Sequence, residues 1–425
     1  MEPAVVRLAG LVFRKLRRRI PKGYSVFPRR RYTIAMCRAS TLLLPLGGIL
    51  AFLSLLNGQN PPLDPARLRV ITDRMRELIG EHEIPGAVTL VETRDAVVHL
   101  AAVGFADPAG KTLMRTNSLF WIASMTKPIT ATAVMMLQEA GKLSVDDPVS
   151  KYLPEMANLK MADGRPANVT LRHLLTHTSG MSEATAEEAR EAKTLADLIP
   201  AFVAKPVQFE PGSRWQYCQS GINTLGRIVE VVSGQSFPEY LARRLFRPLG
   251  MKDTTFYPTA KQMRRYVTPA KREGDELVAT QIGLLGSKEP TSRDRYPAAN
   301  GGLFSTAPDY ARFARMILNG GTLDGKRYLS PESVQLMTSV QTSALTTGFT
   351  PGNGWGLGWC VVREPQGVTA MLSPGSFGHG GAYGTQVWID PQRGVAVILM
   401  VQRSNFPNAD ASEVRRVFQK TALGK

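Results

Sequence analysis

The sequence predicts a mixed α/β (α+β) fold: an antiparallel sheet built from both chain ends, flanked by helices, with a mainly helical domain inserted between the two halves. Three observations lead there. Strand-like segments gather between residues 86 and 107 and again after residue 354. Residues 146–299 read instead as helices separated by Pro- and Gly-rich loops. The chain has 425 residues, of which 43% are hydrophobic, enough for two domains or one large domain carrying an insertion.

Residues 1–58 read as a basic leader followed by a signal peptide or N-terminal anchor. Of the net charge of +17, residues 1–40 supply +10, from 11 Lys/Arg and one acid; the other 385 residues hold 41 Lys/Arg and 34 acids, +7. A charge excess carried by a leader argues against a nucleic-acid partner, which needs a basic folded face. "TLLLPLGGILAFLSLL", Thr41–Leu56, is uncharged but short for a spanning helix, and Pro45, Gly47 and Gly48 interrupt it. Met36 offers an alternative start with a short basic n-region. Export follows as the expectation, to the periplasm or to a membrane-anchored state facing the exterior. Cys37 falls in the leader, and Cys218 and Cys360 read as free apolar residues.

"NGQNPPLDPA" is a linker into the folded part, residues 59–425, and Asp64–Glu81 an amphipathic helix. "GAVTLVE" and "AVVHLAAVGFAD" read as a strand pair. A helix runs from Ser124 through "ATAVMMLQEAG" and stops at Gly141. Within 146–299, "ADLIPAFVAK" and "LGRIVEVVSG" are the clearest helices; "APDYARFARMILNGG" is another, further on. "GWGLGWCVV", "YGTQVWID" and "GVAVILMVQ" return to strand, and "ASEVRRVFQKTAL" closes the chain as a helix. The sheet subdomain would then comprise about 66–145 and 300–425, with a ligand cleft against the helical part.

Chemistry concentrates first in "FWIASMTKPIT". Ser124 and Lys127 lie three apart, on one helical face. Pro128 is tolerated only in a first turn, so the helix starts near Ser124, where N–H groups are free and the dipole is positive. A serine needs a neighbour to take its proton, and lysine does this only when desolvation or a nearby cation lowers its pKa. Taken alone, the pair reads equally as a helix cap beside a solvated lysine. Two further stretches shift the balance. "RWQYCQSGINTLGRIVE" places Tyr217 in a loop before a helix, and "GSFGHGGAYGTQVWID" places His379, Gly380 and Gly381 at the start of an apolar strand. Paired glycines there would let a substrate backbone lie along the strand edge.

With these stretches the chain resembles the serine β-lactamase and penicillin-binding superfamily, on the branch of class C β-lactamases, D-Ala-D-Ala carboxypeptidases and related esterases. The motifs stand as Ser124-Met-Thr-Lys127, Tyr217-Cys-Gln219 and His379-Gly-Gly381, with "TLRHLLTHTSGM", "LFRPLGMKDT", "NGGLFSTAPDYARF" and "GWGLGW" around them. The resemblance spans about residues 66–420 and implies a β-lactamase/transpeptidase-like fold. It implies Ser124 as the acylated nucleophile, Lys127 as its proton-transfer partner, and Tyr217 as general base or part of a relay. Between two cations, that tyrosine would ionise more easily than a free phenol. The oxyanion hole would use the N–H groups of Ser124 and of Ala382 on the strand. No metal or cofactor is required, and His82, His99, His173, His177 and His379 show no ligand spacing. His173, His177, Arg172 and Thr176 read as scaffold, distant from the pocket, and Trp121 and Trp355 as core aromatics, either of which could also line the cleft.

Two residues depart from the pattern. Gln219 stands where the family has asparagine, so the pocket is reshaped. His379 stands where β-lactamases have lysine, and a histidine is mostly neutral at pH 7. These changes favour an esterase, amidase or peptidase over a true β-lactamase. The expected partner is a small-molecule or peptide ester or amide, with cell-wall peptide one candidate. A non-catalytic penicillin-binding or wall-sensing module is the remaining alternative; retention of Ser124, Lys127 and Tyr217 together argues against it.

Overall fold

In the computed structural model, residues 63–424 are described. The leader, Cys37, Met36 and the apolar run Thr41–Leu56 lie outside them. Asp64 caps helix α1 (Pro65–Gly80) by accepting from the Ala66 N–H at 2.8 Å, and proline occupies its first turn. Leu68, Ile71, Met75 and Leu78, spaced at three and four, are its buried stripe. Strands β1 (Gly86–Thr93) and β2 (Val97–Gly104) follow as a hairpin.

From the other end of the chain come β3 (Asn353–Trp355), β4 (Cys360–Val362), β5 (Phe377–Gly380), β6 (Gln386–Asp390) and β7 (Val395–Met400). All seven form one antiparallel sheet in the order β2-β1-β7-β6-β5-β4-β3. The two chain ends meet where Val88 faces Met400 and Thr93 faces Val395. Alternation along β1 and β7 divides the core. Ala87, Val91, Val397 and Leu399 pack with α1 and α5 (Glu413–Leu423); Val88, Leu90, Ile398 and Met400 face α2 (Thr126–Glu139) and α4 (Ala307–Leu318).

That second cluster continues without a break through Leu171, Leu225 and Phe237 of the middle segment. The helical insertion therefore shares its core with the sheet. Its longest helix, α3 (Gln219–Ser233), begins two residues after Tyr217 and ends at Gly234 in the left-handed conformation.

The structure refines four sequence expectations. "GWGLGWCVV" is a hairpin rather than one strand, because Gly358 takes φ +77° and a Cβ on Gly356 would meet the Met337 carbonyl oxygen at 2.2 Å. Pro200 splits "ADLIPAFVAK" into a 3-10 turn, Ala196–Leu198, and a short helix, Ile199–Val203. A small hairpin, Ala270–Glu273 with Glu276–Ala279, stands inside the segment read as helical. His379 and Gly380 end strand β5 instead of starting a strand. Cys218 and Cys360 are free and buried, as read.

Candidate active site

Ser124 sits on a 3-10 turn, Ala123–Met125, that leads into α2. The turn is strained: Ala123 takes φ +45°, where a Cβ is disfavoured. Its surroundings hold it there. The Ile122 N–H bonds the Leu303 carbonyl at 3.0 Å, Thr126 Oγ1 bonds the Ala123 carbonyl at 2.7 Å, and the Tyr310 hydroxyl bonds the Met125 carbonyl at 2.8 Å. The α-helix thus begins where Pro128 requires, two residues after the serine.

Lys127, fully buried, places Nζ 3.0 Å from Ser124 Oγ, 2.8 Å from Gln219 Oε1 and 2.7 Å from the Asn300 main-chain oxygen. Burial lowers its pKa to about 7, against the upward pull of Glu183, Cys218 and Asp410. The same Nζ lies 4.6 Å from the centre of the Tyr217 ring. Tyr217 also lies beside Ser124, whose side chain pulls the phenol's pKa down. Ser124, Lys127, Tyr217 and Gln219 therefore converge from two helices and one loop.

The expected easy ionisation of Tyr217 is not found. Burial holds its phenol well above the ordinary range, and the Ser124 side chain offsets only part of this. The second cation that would favour ionisation is missing, since burial and the Lys127 charge push His379 down to about 3. The neutral His379 ring bonds the Gly380 carbonyl through Nδ1 at 2.8 Å. That contact puts the proton on Nδ1, because a carbonyl only accepts.

Gly380 and Gly381 are required by the protein's own packing. A Cβ on Gly380 would meet Asp410 Oδ1 at 1.9 Å; one on Gly381 would meet Thr385 Oγ1 at 2.1 Å and the Ile122 carbonyl at 2.7 Å. The second contact docks the end of β5 on the turn that carries Ser124. Ala382 is exposed and lies in the turn after β5, not on the strand. One residue from the docking contact, its main chain is brought beside the Ser124 turn.

His177 is the larger correction. Its ring centre is 4.4 Å from Tyr217 and 5.1 Å from Trp355, so it borders the site. Its Nδ1 accepts from the Cys218 N–H at 3.1 Å and thereby fixes the loop carrying Tyr217; its own φ is +59°. His173, Arg172 and Thr176 are scaffold as read: Thr170 and His173 cap each other, Arg172 pairs with Asp146 at 2.6 Å, and Thr176 bonds the Arg172 carbonyl. Trp121 is core, with Nε1 donating to the Gly301 carbonyl at 2.6 Å. Trp355 is buried but joins Trp215, Tyr217 and Phe349 in an aromatic wall.

Two residues escaped the sequence reading. Glu183 accepts the Gln219 and Ser220 N–H groups at 2.5 and 2.9 Å, satisfying the start of α3. Asn300 contacts both Lys127 and Gln219. A carboxylate 36 residues upstream of a helix leaves no local signal; Asn300 opens the segment "NGGLFSTAPDYARF".

An antiparallel sheet with helices on both faces and a serine–lysine–tyrosine cluster beside it defines a class, the serine hydrolases of the β-lactamase fold. The beta-lactamase family model matches residues 71–422, and the chain belongs to that family. It is 34% identical to penicillin-binding protein 4 of Amycolatopsis lactamdurans over 345 residues, 80% of this chain and 85% of that protein. It is 30% identical to esterase EstB of Burkholderia gladioli over 366 residues, 79% of this chain and 89% of that one. Among solved structures, EstCE1, a hydrolase with promiscuous acyltransferase activity, superposes with a TM-score of 0.74 at 26% identity, covering 85% of this chain and 99% of that chain.

Proposed function

We propose that the protein is an esterase-type serine hydrolase, working through an acyl-enzyme on Ser124 with neutral Lys127 as the base. One observation carries this reading: the disposition of the three partners of Lys127. Two are carbonyl oxygens, which can only accept. A neutral amine must give its two N–H bonds to them, and its lone pair is left facing Ser124 Oγ at 3.0 Å.

In the acylation step the Ser124 proton passes to Lys127 Nζ as Oγ bonds the substrate's carbonyl carbon. Main-chain N–H groups of Ser124 and Ala382 receive the oxyanion. Collapse breaks the bond to the alcohol, which leaves with the proton returned from Lys127. Water then repeats the sequence and releases the acid.

The substrate follows from the walls of the site. His379 is uncharged, so it offers no cation for a carboxylate, and Trp215, Phe349 and Trp355 present apolar surface beside Tyr217. We assign an ester with an uncharged, apolar acyl or alcohol group ahead of a D-Ala-D-Ala peptide, and that ahead of a β-lactam. The relatives named as an esterase and a hydrolase support placing the ester first. We further read the protein as exported, on the strength of its basic leader and apolar run; fractionation of the producing cell tests this.

Intact mass of the full chain against time, with p-nitrophenyl butyrate and separately with a penicillin, tests the reading. Rapid ester turnover with a lasting penicillin adduct, both lost in Ser124→Ala, is the expected result. Fast penicillin hydrolysis without an adduct would place the β-lactamase reading first.

A further inference from the structure

Asn300 lies in the turn "AANGG", whose shape is set by the Gly301 and Gly302 N–H groups bonding the Ala298 carbonyl at 3.1 and 2.7 Å. Helix α3 holds this residue twice, from side chains four residues apart on one helical face. Asn223 Oδ1 accepts the Asn300 N–H at 3.2 Å, and Gln219 Oε1 accepts from Asn300 Nδ2 at 2.9 Å. Gln219 Oε1 is the same atom that binds Lys127 Nζ.

Asn300 is 6% exposed, and its Oδ1 is buried without a hydrogen-bond partner. A buried amide with one end unpaired is a poor choice for packing alone, since an apolar side chain would fill the place without that cost. What the amide does achieve is a fixed orientation of its neighbour. Gln219 could turn its amide by half a rotation and present Nε2 to Lys127. The Asn300 Nδ2–H, a donor, opposes this, because two N–H groups would then face each other.

We propose that Asn300 is a positioning residue for acylation: its side chain locks the Gln219 carbonyl toward Lys127, and its main-chain carbonyl holds the second N–H, so that the amine's lone pair points only at Ser124. This rests on the esterase reading above, in which Lys127 acts as a neutral base. Asparagine can serve here and aspartate cannot. A carboxylate at 300 would turn the Gln219 amide toward itself, removing an acceptor from Lys127, and its charge would favour the protonated amine.

The test is the pH dependence of kcat/KM for a p-nitrophenyl ester, measured for the full chain, Asn300→Asp, Asn300→Ser and Ser124→Ala. Asn300→Asp is expected to move the acid limb upward by at least one pH unit, so that activity at pH 7 falls more than tenfold and partly recovers near pH 9. Asn300→Ser keeps the main-chain carbonyl but is too short to reach Gln219; it should lower the plateau about tenfold, mainly in kcat. A purely structural residue would change the melting temperature and leave the limb in place. Wild-type limb and plateau in the folded Asn300→Asp protein overturn the proposal; if that variant does not fold, a wild-type plateau in Asn300→Ser does so. Turnover by Ser124→Ala would instead remove the esterase reading itself, whatever the Asn300 variants do.

Discussion

Lys127 and Glu92 are both buried ionisable groups of one structure, and both are moved toward neutrality for the same reason. Desolvation brings Lys127 down to about 7 and Glu92 up to about 8. Their surroundings differ. Lys127 has three hydrogen-bond partners at 2.7–3.0 Å, one of them a serine hydroxyl on a strained turn. Glu92, near the far end of β1, has no hydrogen bond to either carboxyl oxygen, and its nearest cation, Arg315 Nε, is 4.0 Å away. A perturbed pKa flags a candidate, and geometry decides between candidates. By that criterion Lys127 is the candidate for a reaction and Glu92 is not.

The largest effects should fall on the Lys127 side. Ser124→Ala is expected to abolish labelling by any acylating probe, and Lys127→Ala to slow acylation by about 10²–10⁴-fold, the usual span for a lost acid–base group. Glu92→Gln should leave kcat/KM unchanged. Equal losses in the Lys127 and Glu92 variants would erase the distinction. In the wild type, kcat/KM should rise about tenfold per pH unit below 7 and level off above it, as Lys127 loses its proton. A flat profile between pH 5 and 8 would mean that the amine is not the base.

Folding stability should separate the two groups by sign. Glu92 has a folded pKa above its unfolded value, so the folded state holds the extra proton between about 4.5 and 8. Stability should therefore fall as pH rises through that window, by an amount on the order of a few kcal/mol, and Glu92→Gln should remove the slope. Lys127 has a folded pKa below its unfolded value of 10.5, so its contribution runs the other way, with stability rising between about 7 and 10.5. Urea midpoints across pH 5–10 for the wild type, Glu92→Gln and Lys127→Met read both slopes. The smallest effect concerns the aromatic wall. Phe349 is 48% exposed at its rim, and Phe349→Ala should raise KM for an apolar ester about two- to fivefold, with little change in kcat.

The same contrast bears on what the sequence made legible. Ser124 and Lys127 could be read because their relation is local: helical spacing brings them together, and Pro128 marks where the helix starts. The strands of β1, β2, β6 and β7 were legible because apolar residues run through them between turn signals. Strand β5 was not, since "FGHG" has two glycines and its pairing with β4 and β6 is a tertiary fact. Asn300 stands 173 residues from Lys127, and His177 lies 40 before Tyr217. Nothing in their immediate neighbours says that they meet. The expected ionisation of Tyr217 failed for a related reason. It assumed a second cation, while burial, which is not visible along a chain, neutralises His379 and raises the phenol.

Acylation of Ser124 with Lys127 as a neutral base is the proposed reaction. It is tested most directly by reacting the full chain with a fluorophosphonate at several pH values and locating the adduct by peptide mass spectrometry. One adduct is expected, on Ser124, formed at a rate that climbs through pH 7 and becomes slow and pH-independent in Lys127→Met. An adduct on another residue, or a Ser124 rate that ignores both pH and Lys127, would contradict it.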